Sequence, residues 1–514
     1  MPPLAPAAIE PGSAAPAPPP PARPVPAPAV VIGTPRTART LLAGLRAQWG
    51  ADAAGWDAVT LGGVTGAPGV ADADQTPGPL PAADPWGTLA RRVAHGTLRE
   101  AFVCLPRSMA AAAARAEDLM RAGGVKVTRV PPLAEWLEAD DRGPGRAGGA
   151  FCPASLIDRE PRPLDAESLR RLLGGRRVLI TGAGGSIGGE LARRVAGFGP
   201  AELTLVERSE NALFEVDRQV GEAFTGVPRR AELHDVTQTD RTARLLSRLR
   251  PEVVLHAAAH KHVPMMEEHP ALAVDNNFHG TRSVADAAAA AGCGTFVMIS
   301  TDKAVNPTSV MGATKRLAER YVQHLDRLCD TTFCMVRFGN VLGSACSLIP
   351  IWTRQLAAGG PLTVTHRDMT RYFMTLPEAA GLVLQAGGYA RGGEVFLLDM
   401  GKPVRIVDMA DRFLRAHGLE PGRDVAVRVT GPRPGEKLFE ELACAGEDMT
   451  PTPHPSINRW RQRPASAAEM RRVVSAFDRL RPADGFDPDP RAVVAALRLA
   501  VPEMRTAAAA AAVA

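Results

Sequence analysis

The segment from Ser300 to Lys315, STDKAVNPTSVMGATK, decides how the rest of the chain is interpreted. It follows an apolar run over 296–299 that is typical of a buried parallel strand. Ligands of open α/β sheets bind at the carboxyl ends of the strands, so Asp302 and Lys303 are expected at a binding edge. An ordinary strand followed by a helix explains the apolar run, but it does not explain an acid beside a lysine at the strand end.

Later in the same segment, Met311 and Lys315 stand four positions apart. In a helix this spacing places both side chains on one face, one turn from each other. The sequence therefore predicts a strand, a polar turn and a helix that carry one functional site.

Length and composition exclude several classes of protein. A chain of 514 residues with 22% charged and 45% hydrophobic residues is typical of a soluble protein of two or three domains. The net charge of +5 comes without a long basic block, so nucleic-acid binding is not expected. The seven cysteines lack metal-ligand or disulfide spacing, which predicts reduced thiols and no metal site.

The sequence also bears on the location of the protein. It contains no run of about 18 apolar residues, so no integral membrane segment is expected. Residues 1–28 lack the basic start and apolar core of a signal peptide. The expected location is the cytoplasm, either free or peripheral to the inner membrane.

The alternation of strands and helices predicts two α/β domains behind a disordered Pro/Ala-rich tail over 1–28. A small Rossmann-like domain is expected over 29–145, with strands at 29–33, 101–105 and 125–130 and helices at 36–49 and 109–122. A doubly wound parallel sheet is expected over 160–460, with strands at 177–181, 203–206, 253–256, 296–300, 333–337 and 394–398. Residues 461–514 are predicted to form a helical, flexible tail.

The motif TGAGGSIG, from Thr181 to Gly188, predicts the cofactor site. It directly follows a predicted strand, and Ser186 and Ile187 open a helix. Gly182, Gly185 and Gly188 allow backbone N–H groups to approach a pyrophosphate, which the N-terminus of the helix also attracts. A nicotinamide dinucleotide is therefore expected here.

The two residues that follow the next predicted strand bear on whether the cofactor is NAD or NADP. Glu207 can bind the ribose hydroxyls of NAD, whereas the adjacent Arg208 could pair with the 2′-phosphate of NADP, and we favour NAD. After later strands, Asp235 and Val236 are expected to flank the adenine, and the small residues Ala257 and Ala259 leave room for the cofactor backbone. His256 is interpreted as a packed histidine.

Several long segments then support a resemblance. They are TGAGGSIG (181–188), HAAAHKHVPMME (256–267), NNFHGT (276–281), STDKAVNPTSVMGATKR (300–316), VRFGNVLGS (336–344), TRYFMTLPEAA (370–380), LDMGKPV (398–404) and GPRPGEKL (431–438). The chain resembles the nucleotide-sugar 4,6-dehydratases of the extended short-chain dehydrogenase superfamily. It is most similar to the polysaccharide-biosynthesis branch that acts on UDP-N-acetylglucosamine, the CapD-, PglF- and WbpM-like proteins.

The resemblance has two departures. Long members of this branch carry transmembrane helices, a degenerate Rossmann-like domain and then the catalytic domain, and here the Pro/Ala-rich tail stands in place of the anchor. Where the family's loop usually has glycine, this chain has Cys346. Met311 is no departure, because long members also carry methionine where other short-chain dehydrogenases have the tyrosine of Tyr-x-x-x-Lys.

The resemblance implies a hydro-lyase mechanism. NAD takes a hydride from carbon 4 of the sugar, Lys303 removes the carbon-5 proton, Asp302 protonates the departing 6-hydroxyl, and the hydride returns to carbon 6. Burial is expected to tune Lys303 towards neutrality. Lys315 holds the nicotinamide ribose, and Thr301 hydrogen-bonds the sugar. Because Met311 cannot accept a proton, Asp302, or else a water relayed by Thr301 and Lys315, takes the 4-hydroxyl proton.

The resemblance also implies a substrate site and a homo-oligomer. Lys261, Asn340, Arg433 and Lys437 are expected to bind the UDP part of the substrate, the two RPGEK cations neutralising the diphosphate. Arg371 and Tyr372 are expected either in the sugar pocket or at a subunit interface. Two other functions stay open: a nucleotide-sugar 4-epimerase or reductase, and a cofactor-binding scaffold that has lost catalysis.

Overall fold

The computed structural model describes residues 29–33, 57–60, 85–96, 98–104, 110–129, 156–157, 163–417, 419–442, 449–460, 464–481 and 488–505. The predictions for the tail at 1–28 and the helix at 36–49 lie outside these residues. The described residues up to Arg129 form one compact unit, and those from Leu156 onwards form a second. The predicted division between 145 and 160 falls mostly outside the described ranges and stays a prediction.

The first unit is a small parallel α/β layer, as predicted. Its strands are β1 (Ala29–Gly33), β2 (Asp57–Thr60), β3 (Glu100–Cys104) and β4 (Lys126–Arg129), and its described helices are α1 (Pro85–Ala94) and α2 (Ala110–Ala122). The strands pair in parallel in the order β2-β1-β3-β4. Apolar residues such as Val30 and Leu89 form its core. Strand β2 was not predicted from the sequence.

The second unit is built on a sheet of nine described strands. Its strands and those of the small sheets beside it are β5 (Arg177–Thr181), β6 (Glu202–Glu207), β7 (Arg229–Leu233), β8 (Val253–His256), β9 (Thr295–Ile299), β10 (Thr332–Arg337), β11 (Asn340–Leu342), β12 (Leu362–Val364), β13 (Thr370–Arg371), β14 (Phe373–Thr375), β15 (Glu394–Leu398), β16 (Val404–Arg405), β17 (Val427–Val429), β18 (Met449–Pro451) and β19 (Ile457–Trp460). The large sheet runs β18-β19-β15-β10-β9-β8-β5-β6-β7.

The topology of this sheet confirms the doubly wound Rossmann-type fold. The seven strands from β15 to β7 are parallel, and the strand order reverses between β5 and β8. That reversal is the position where open α/β sheets bind ligands. The edge strands β19 and β18 are antiparallel and were not predicted, because such short strands of mixed polarity lack a clear alternation.

Helices cover both faces of the sheet. The described helices of this unit, of which some cover the sheet and others pack beyond it, are α3 (Ala166–Leu173), α4 (Ser186–Ala196), α5 (Glu210–Ala223), α6 (Thr239–Leu249), α7 (Val263–Glu268), α8 (Pro270–Val274), α9 (Gly280–Ala290), α10 (Val310–Asp326), α11 (Leu348–Ala357), α12 (Leu376–Tyr389), α13 (Ile406–Ala416), α14 (Ala467–Arg479) and α15 (Pro490–Ala500). In β5, Val178 and Ile180 enter one core cluster, and Leu179 enters the other. This alternation requires two covering layers.

The described residues after 461 include two helices. Helices α14 and α15 pack against α10, where Phe477 and Leu497 join the apolar cluster that contains Leu317. Residues 506–514 lie outside the described ranges. Across the described part of the chain, no helix is both long and apolar enough to cross a bilayer.

Candidate active site

The glycine turn after β5 has the geometry of a pyrophosphate cradle. Gly182 has φ +66°, and a Cβ there would lie 2.7 Å from the Ala258 nitrogen. A Cβ on Gly188 would lie 2.0 Å from the Gly182 carbonyl oxygen. A Cβ on Gly185 would meet only that oxygen, at 3.3 Å, so this side of the turn is open. Helix α4 begins next to it, and its first N–H groups have no partner inside the helix.

The end of β6 is tied to this turn. The Glu207 carboxylate accepts hydrogen bonds from the backbone nitrogens of Arg208 (2.9 Å), Ser209 (3.1 Å) and Gly184 (3.2 Å). Its position beside the glycine turn is where a carboxylate meets the adenosine ribose of a dinucleotide. The residues therefore fit a nicotinamide dinucleotide.

Arg208 contacts residues that follow β7 and β8. Its guanidinium lies 4.0 Å from Asp235 Oδ2 and 2.9 Å from His260 Nε2. Val236, next to Asp235, is buried. Ala257 and Ala259 follow β8 directly, so the sheet brings together the residues predicted for the cofactor.

His256 is a packed histidine in the structure. Its ring nitrogens lie 2.8 Å from Thr181 Oγ1 and 3.0 Å from Thr281 Oγ1. Burial, together with repulsion from Lys315, lowers the pKa of His256 to about 3. The ring is therefore neutral at physiological pH, and both of its nitrogens are engaged with buried threonine hydroxyls.

Helix α10 carries Met311 and Lys315 one turn apart, as the spacing predicts. Ser309 caps the helix by accepting a hydrogen bond from the Gly312 nitrogen at 3.1 Å. Met311 is 3% exposed and packs in an apolar cluster with Phe278. Burial lowers the pKa of Lys315 to about 8, although Glu319 acts in the opposite direction.

Asp302 and Lys303 lie in a 3₁₀ turn directly after β9, at the carboxyl edge of the sheet. Asp302 Oδ1 accepts hydrogen bonds from Thr301 Oγ1 at 2.9 Å and from Lys303 Nζ at 3.0 Å. The Asp302 side chain is completely buried, whereas 20% of the Lys303 side chain is exposed. Lys303, not Asp302, is therefore the member of this pair that reaches solvent.

The expectation that burial tunes Lys303 towards neutrality is wrong for the free protein. Burial does act to lower the pKa of Lys303, but the carboxylates of Asp302 and Glu440 outweigh it, and the pKa is raised. Lys303 is thus charged at rest. A charged lysine can give a proton at once, but it can accept one only after it has given one.

Glu440 and Arg371 complete the charged cluster around Lys303. Glu440 Oε1 lies 3.5 Å from Lys303 Nζ and 3.8 Å from Arg371 Nε. The Arg371 guanidinium also donates to the backbone carbonyls of Lys437 (2.8 Å) and Leu438 (3.1 Å). This places Arg371 inside the site wall. Sequence reasoning missed Glu440, and the only signal was its place just after GPRPGEKL.

A second buried network, also missed, holds the two halves of the segment 300–315 together. Glu319 on α10 accepts hydrogen bonds from Ser300 Oγ at 2.6 Å and from Arg337, whose Nε and Nη2 lie 2.8 and 2.7 Å away. Asn277 connects the loop at His260 to Thr314. These contacts fix the end of β9 relative to the helix that carries Lys315.

The four residues predicted for the substrate are not all brought together. Asn340 Oδ1 lies 3.2 Å from Lys303 Nζ, which places it in the site. Lys261 Nζ donates to the Ala345 carbonyl at 2.8 Å, and the Ala345 nitrogen donates to Ser186 Oγ at 2.9 Å, so Lys261 lies next to the glycine turn. Cys346, in the same loop, has φ +57°, a conformation that favours glycine.

The two cations of RPGEK have different surroundings. Arg433 is exposed and pairs with Glu436 at 2.5 Å. Lys437 is buried, and its amine donates to the Val305 carbonyl at 2.9 Å and to Glu441 at 3.0 Å. Of the two, Arg433 is the one exposed to solvent, while Lys437 holds the loop after Lys303. Within the described ranges, no cluster of His, Cys, Asp and Glu has the geometry of a metal site.

The chain is similar to several known proteins. Residues 178–462 match the family described as polysaccharide biosynthesis protein. The chain is 45% identical over 330 residues to the probable polysaccharide biosynthesis protein EpsC of Bacillus subtilis, a match that covers 64% of this chain and 55% of that protein. It is 30% identical over 281 residues to a UDP-N-acetylglucosamine 4,6-dehydratase (inverting) of Campylobacter jejuni, covering 54% of this chain and 80% of that enzyme.

Among solved structures, the X-ray structure of Pen from Bacillus thuringiensis is similar, with a TM-score of 0.52 and 31% identity over 57% of this chain and 89% of that one. The chain spans about half the length of the curated polysaccharide-biosynthesis relatives it matches. The family match covers more than half of the chain. The chain therefore belongs to the polysaccharide biosynthesis protein family, in the dehydratase and epimerase branch of the extended short-chain dehydrogenases.

Proposed function

We propose that this chain is a nucleotide-sugar 4,6-dehydratase that converts UDP-N-acetylglucosamine into a UDP-4-keto-6-deoxy sugar for polysaccharide biosynthesis. The observation that carries the proposal is the pair of Lys303, which reaches the cleft, and Asp302, which is buried behind it at 3.0 Å. The similarity to a named UDP-N-acetylglucosamine 4,6-dehydratase supports the choice of substrate.

The cofactor is proposed to be NAD. The glycine turn would hold its pyrophosphate, Glu207 its adenosine ribose, and Lys315 its nicotinamide ribose. When bound, the nicotinamide supplies the removal of a hydride from carbon 4 and its return to carbon 6. The resulting 4-ketone acidifies the neighbouring carbon-5 proton, and the protein's own groups handle the protons.

Thr301 and Asp302 form the route for the 4-hydroxyl proton. Thr301 Oγ1 donates to Asp302 Oδ1 at 2.9 Å, so a proton received by the threonine hydroxyl can pass to the buried carboxylate. This route takes the place of the tyrosine that other short-chain dehydrogenases have at the position of Met311. It needs no direct contact between Asp302 and the sugar.

Lys303 carries out the elimination. Its ammonium group gives one proton to the departing 6-hydroxyl, which leaves as water, and the nitrogen takes the carbon-5 proton. Lys303 later returns a proton to carbon 5 when the hydride arrives at carbon 6, and the proton stored on Asp302 restores its charge. Protons and charge balance over the cycle. This assignment differs from the sequence-based one, in which Asp302 protonated the 6-hydroxyl, because Asp302 is completely buried.

An epimerase on the same scaffold is less well supported. Epimerisation needs proton transfer only at the 4-hydroxyl, and it gives no role to a lysine poised for carbon 5. The test is to incubate the purified protein with UDP-N-acetylglucosamine and identify the product by NMR. A 6-deoxy-4-keto sugar supports the proposal, whereas UDP-N-acetylgalactosamine as product would replace it with the epimerase.

A further inference from the structure

Two carboxylates, not one, flank the amine of Lys303. Asp302 Oδ1 lies 3.0 Å from Nζ, and Glu440 Oε1 lies 3.5 Å away. Each carboxylate also has a second oxygen, Asp302 Oδ2 and Glu440 Oε2, that is buried and has no hydrogen-bond partner among the described residues. Burying a carboxylate in this way is costly unless a charge compensates for it.

Arg371 cannot supply that compensation alone. Its Nε lies 3.8 Å from Glu440 Oε1, and its terminal nitrogens donate to the carbonyls of Thr370, Lys437 and Leu438. Arg371 thereby fixes the backbone that carries Glu440. The carboxylate it holds in place is directed at the amine of Lys303.

The charged and polar groups that face Lys303 come from four elements of the site. They are Asp302 beside it, Asn340 on β11, Arg371 on β13 and Glu440 after the RPGEK loop. Of these, Asp302 changes its charge during the proposed cycle, when it stores the 4-hydroxyl proton. Glu440 is the carboxylate that remains charged beside Lys303 while Asp302 is neutral.

We propose that Glu440 is a positioning residue of the dehydratase, which keeps the Lys303 amine charged and directed at the sugar through the step in which Asp302 holds a proton. This role rests on the proposed function. Glu440 acts through Lys303 and is not assigned a contact with the substrate. Burial would otherwise favour loss of the Lys303 proton, and a neutral Lys303 could not protonate the departing hydroxyl.

The test compares Glu440→Gln with Glu394→Gln. Glu440 and Glu394 are equally buried, at 7% exposed each, but Glu394 opens β15 at the opposite edge of the sheet and bonds the backbone nitrogens of Arg391 and Gly392. The control therefore removes a comparable buried carboxylate away from Lys303.

The first readout does not depend on turnover. Trace labelling with acetic anhydride at pH 8, followed by peptide mass spectrometry, measures the neutral fraction of Lys303 relative to the exposed Lys402. While most of Lys303 is charged, each unit by which its pKa falls raises its neutral fraction about tenfold. We expect Lys303 labelling to rise about tenfold in Glu440→Gln and to stay unchanged in Glu394→Gln. Unchanged labelling in folded Glu440→Gln overturns the proposal.

The second readout is the pH profile of dehydration. In Glu440→Gln the loss of activity at high pH should begin at least one pH unit lower than in the wild type, with kcat reduced and KM little changed. An unshifted profile overturns the role. If the wild-type protein does not dehydrate the sugar, the proposed function fails, and the labelling result still decides whether Glu440 controls Lys303.

A second variant, Glu440→Asp, keeps the proposal testable if Glu440→Gln does not fold. Glu440→Asp keeps the charge but moves it farther from Nζ, so Lys303 labelling should rise by less than in Glu440→Gln. Labelling that rises as much in Glu440→Asp as is expected for Glu440→Gln contradicts the proposal, because the charge at position 440 would then make no difference.

Discussion

The Nζ atom of Lys303 lies 3.0 Å from Oδ1 of Asp302, whose side chain has no exposed surface. In the proposed mechanism, this contact joins the group that reaches the sugar to the group that stores a proton. Replacing Asp302 with Asn keeps the shape but removes the proton store. We expect kcat to fall by at least about a hundredfold, the lower range for general acid–base catalysis. Calorimetry should show cofactor and UDP-sugar binding nearly unchanged, and a kcat within threefold of the wild type would contradict the relay.

Lys303→Ala removes the group that is proposed to exchange protons with carbon 5. In heavy water the wild-type enzyme should place deuterium on carbon 5 of the product, because the ammonium protons exchange with solvent. The variant should lose both this exchange and dehydration while it still binds cofactor and UDP-sugar. NMR of the sugar checks the result, and full activity of Lys303→Ala would move the chemistry to another part of the cleft.

Met311→Leu tests whether position 311 takes part in proton transfer. Met311 is 3% exposed and surrounded by apolar side chains, so a volume-conserving change should cost less than about 1.5 kcal/mol of the free energy of unfolding. Activity should remain within about threefold of the wild type. Loss of activity in a folded variant would show that the sulfur has a role that this mechanism does not include.

Lys315→Met should stabilise the cofactor-free protein while it abolishes activity. In the folded protein the pKa of Lys315 is lowered from 10.5 to about 8. Keeping the ammonium charged at neutral pH therefore lowers the free energy of unfolding. As pH rises from 8 to 10.5 the folded protein loses this proton before the unfolded chain does, and the penalty disappears. The gain should therefore be largest near pH 7, at most about 3 kcal/mol, and should vanish above about pH 10.5.

Thermal denaturation at pH 7 and at pH 10.5 measures this difference. Met311→Leu is a matched control on the same helix, because it changes no titratable group. A stability gain of equal size at both pH values would show that packing, and not the buried charge, explains the effect of Lys315→Met.

Much of the fold follows from local sequence patterns. Buried parallel strands have short apolar runs in their sequences. For this reason the predicted bounds agree with the observed ones for three strands, Arg177–Thr181, Val253–His256 and Glu394–Leu398. The glycine turn at Gly182 could be recognised because its conformation and close packing exclude a side chain. Strands β18 and β19 were missed because β19 forms by pairing with β15 and β18 by pairing with β19, which a local pattern does not reveal.

Residue types and spacing alone indicated only the segment 300–315 of the candidate site, whereas Asn340 and Arg371 were expected from the family resemblance. Asp302, Lys303 and Lys315 lie in one segment, and their types and spacing indicate their chemistry. Glu440 comes from a distant part of the chain and approaches Lys303 only in the folded protein, where Arg371 lies beside Glu440. For the same reason, the protonation of Lys303 could not be inferred from its burial alone, since the second carboxylate that raises its pKa was unknown.

The fate of the carbon-4 hydrogen tests the central claim most directly. The purified enzyme is incubated with UDP-N-acetylglucosamine that carries deuterium on carbon 4, and the product is examined by NMR together with the absorbance of reduced nicotinamide. We predict that the deuterium appears in the methyl group at carbon 6, without added cofactor and without net formation of reduced nicotinamide. Deuterium that remains on carbon 4, or reduced cofactor formed in proportion to product, would contradict an intramolecular dehydration.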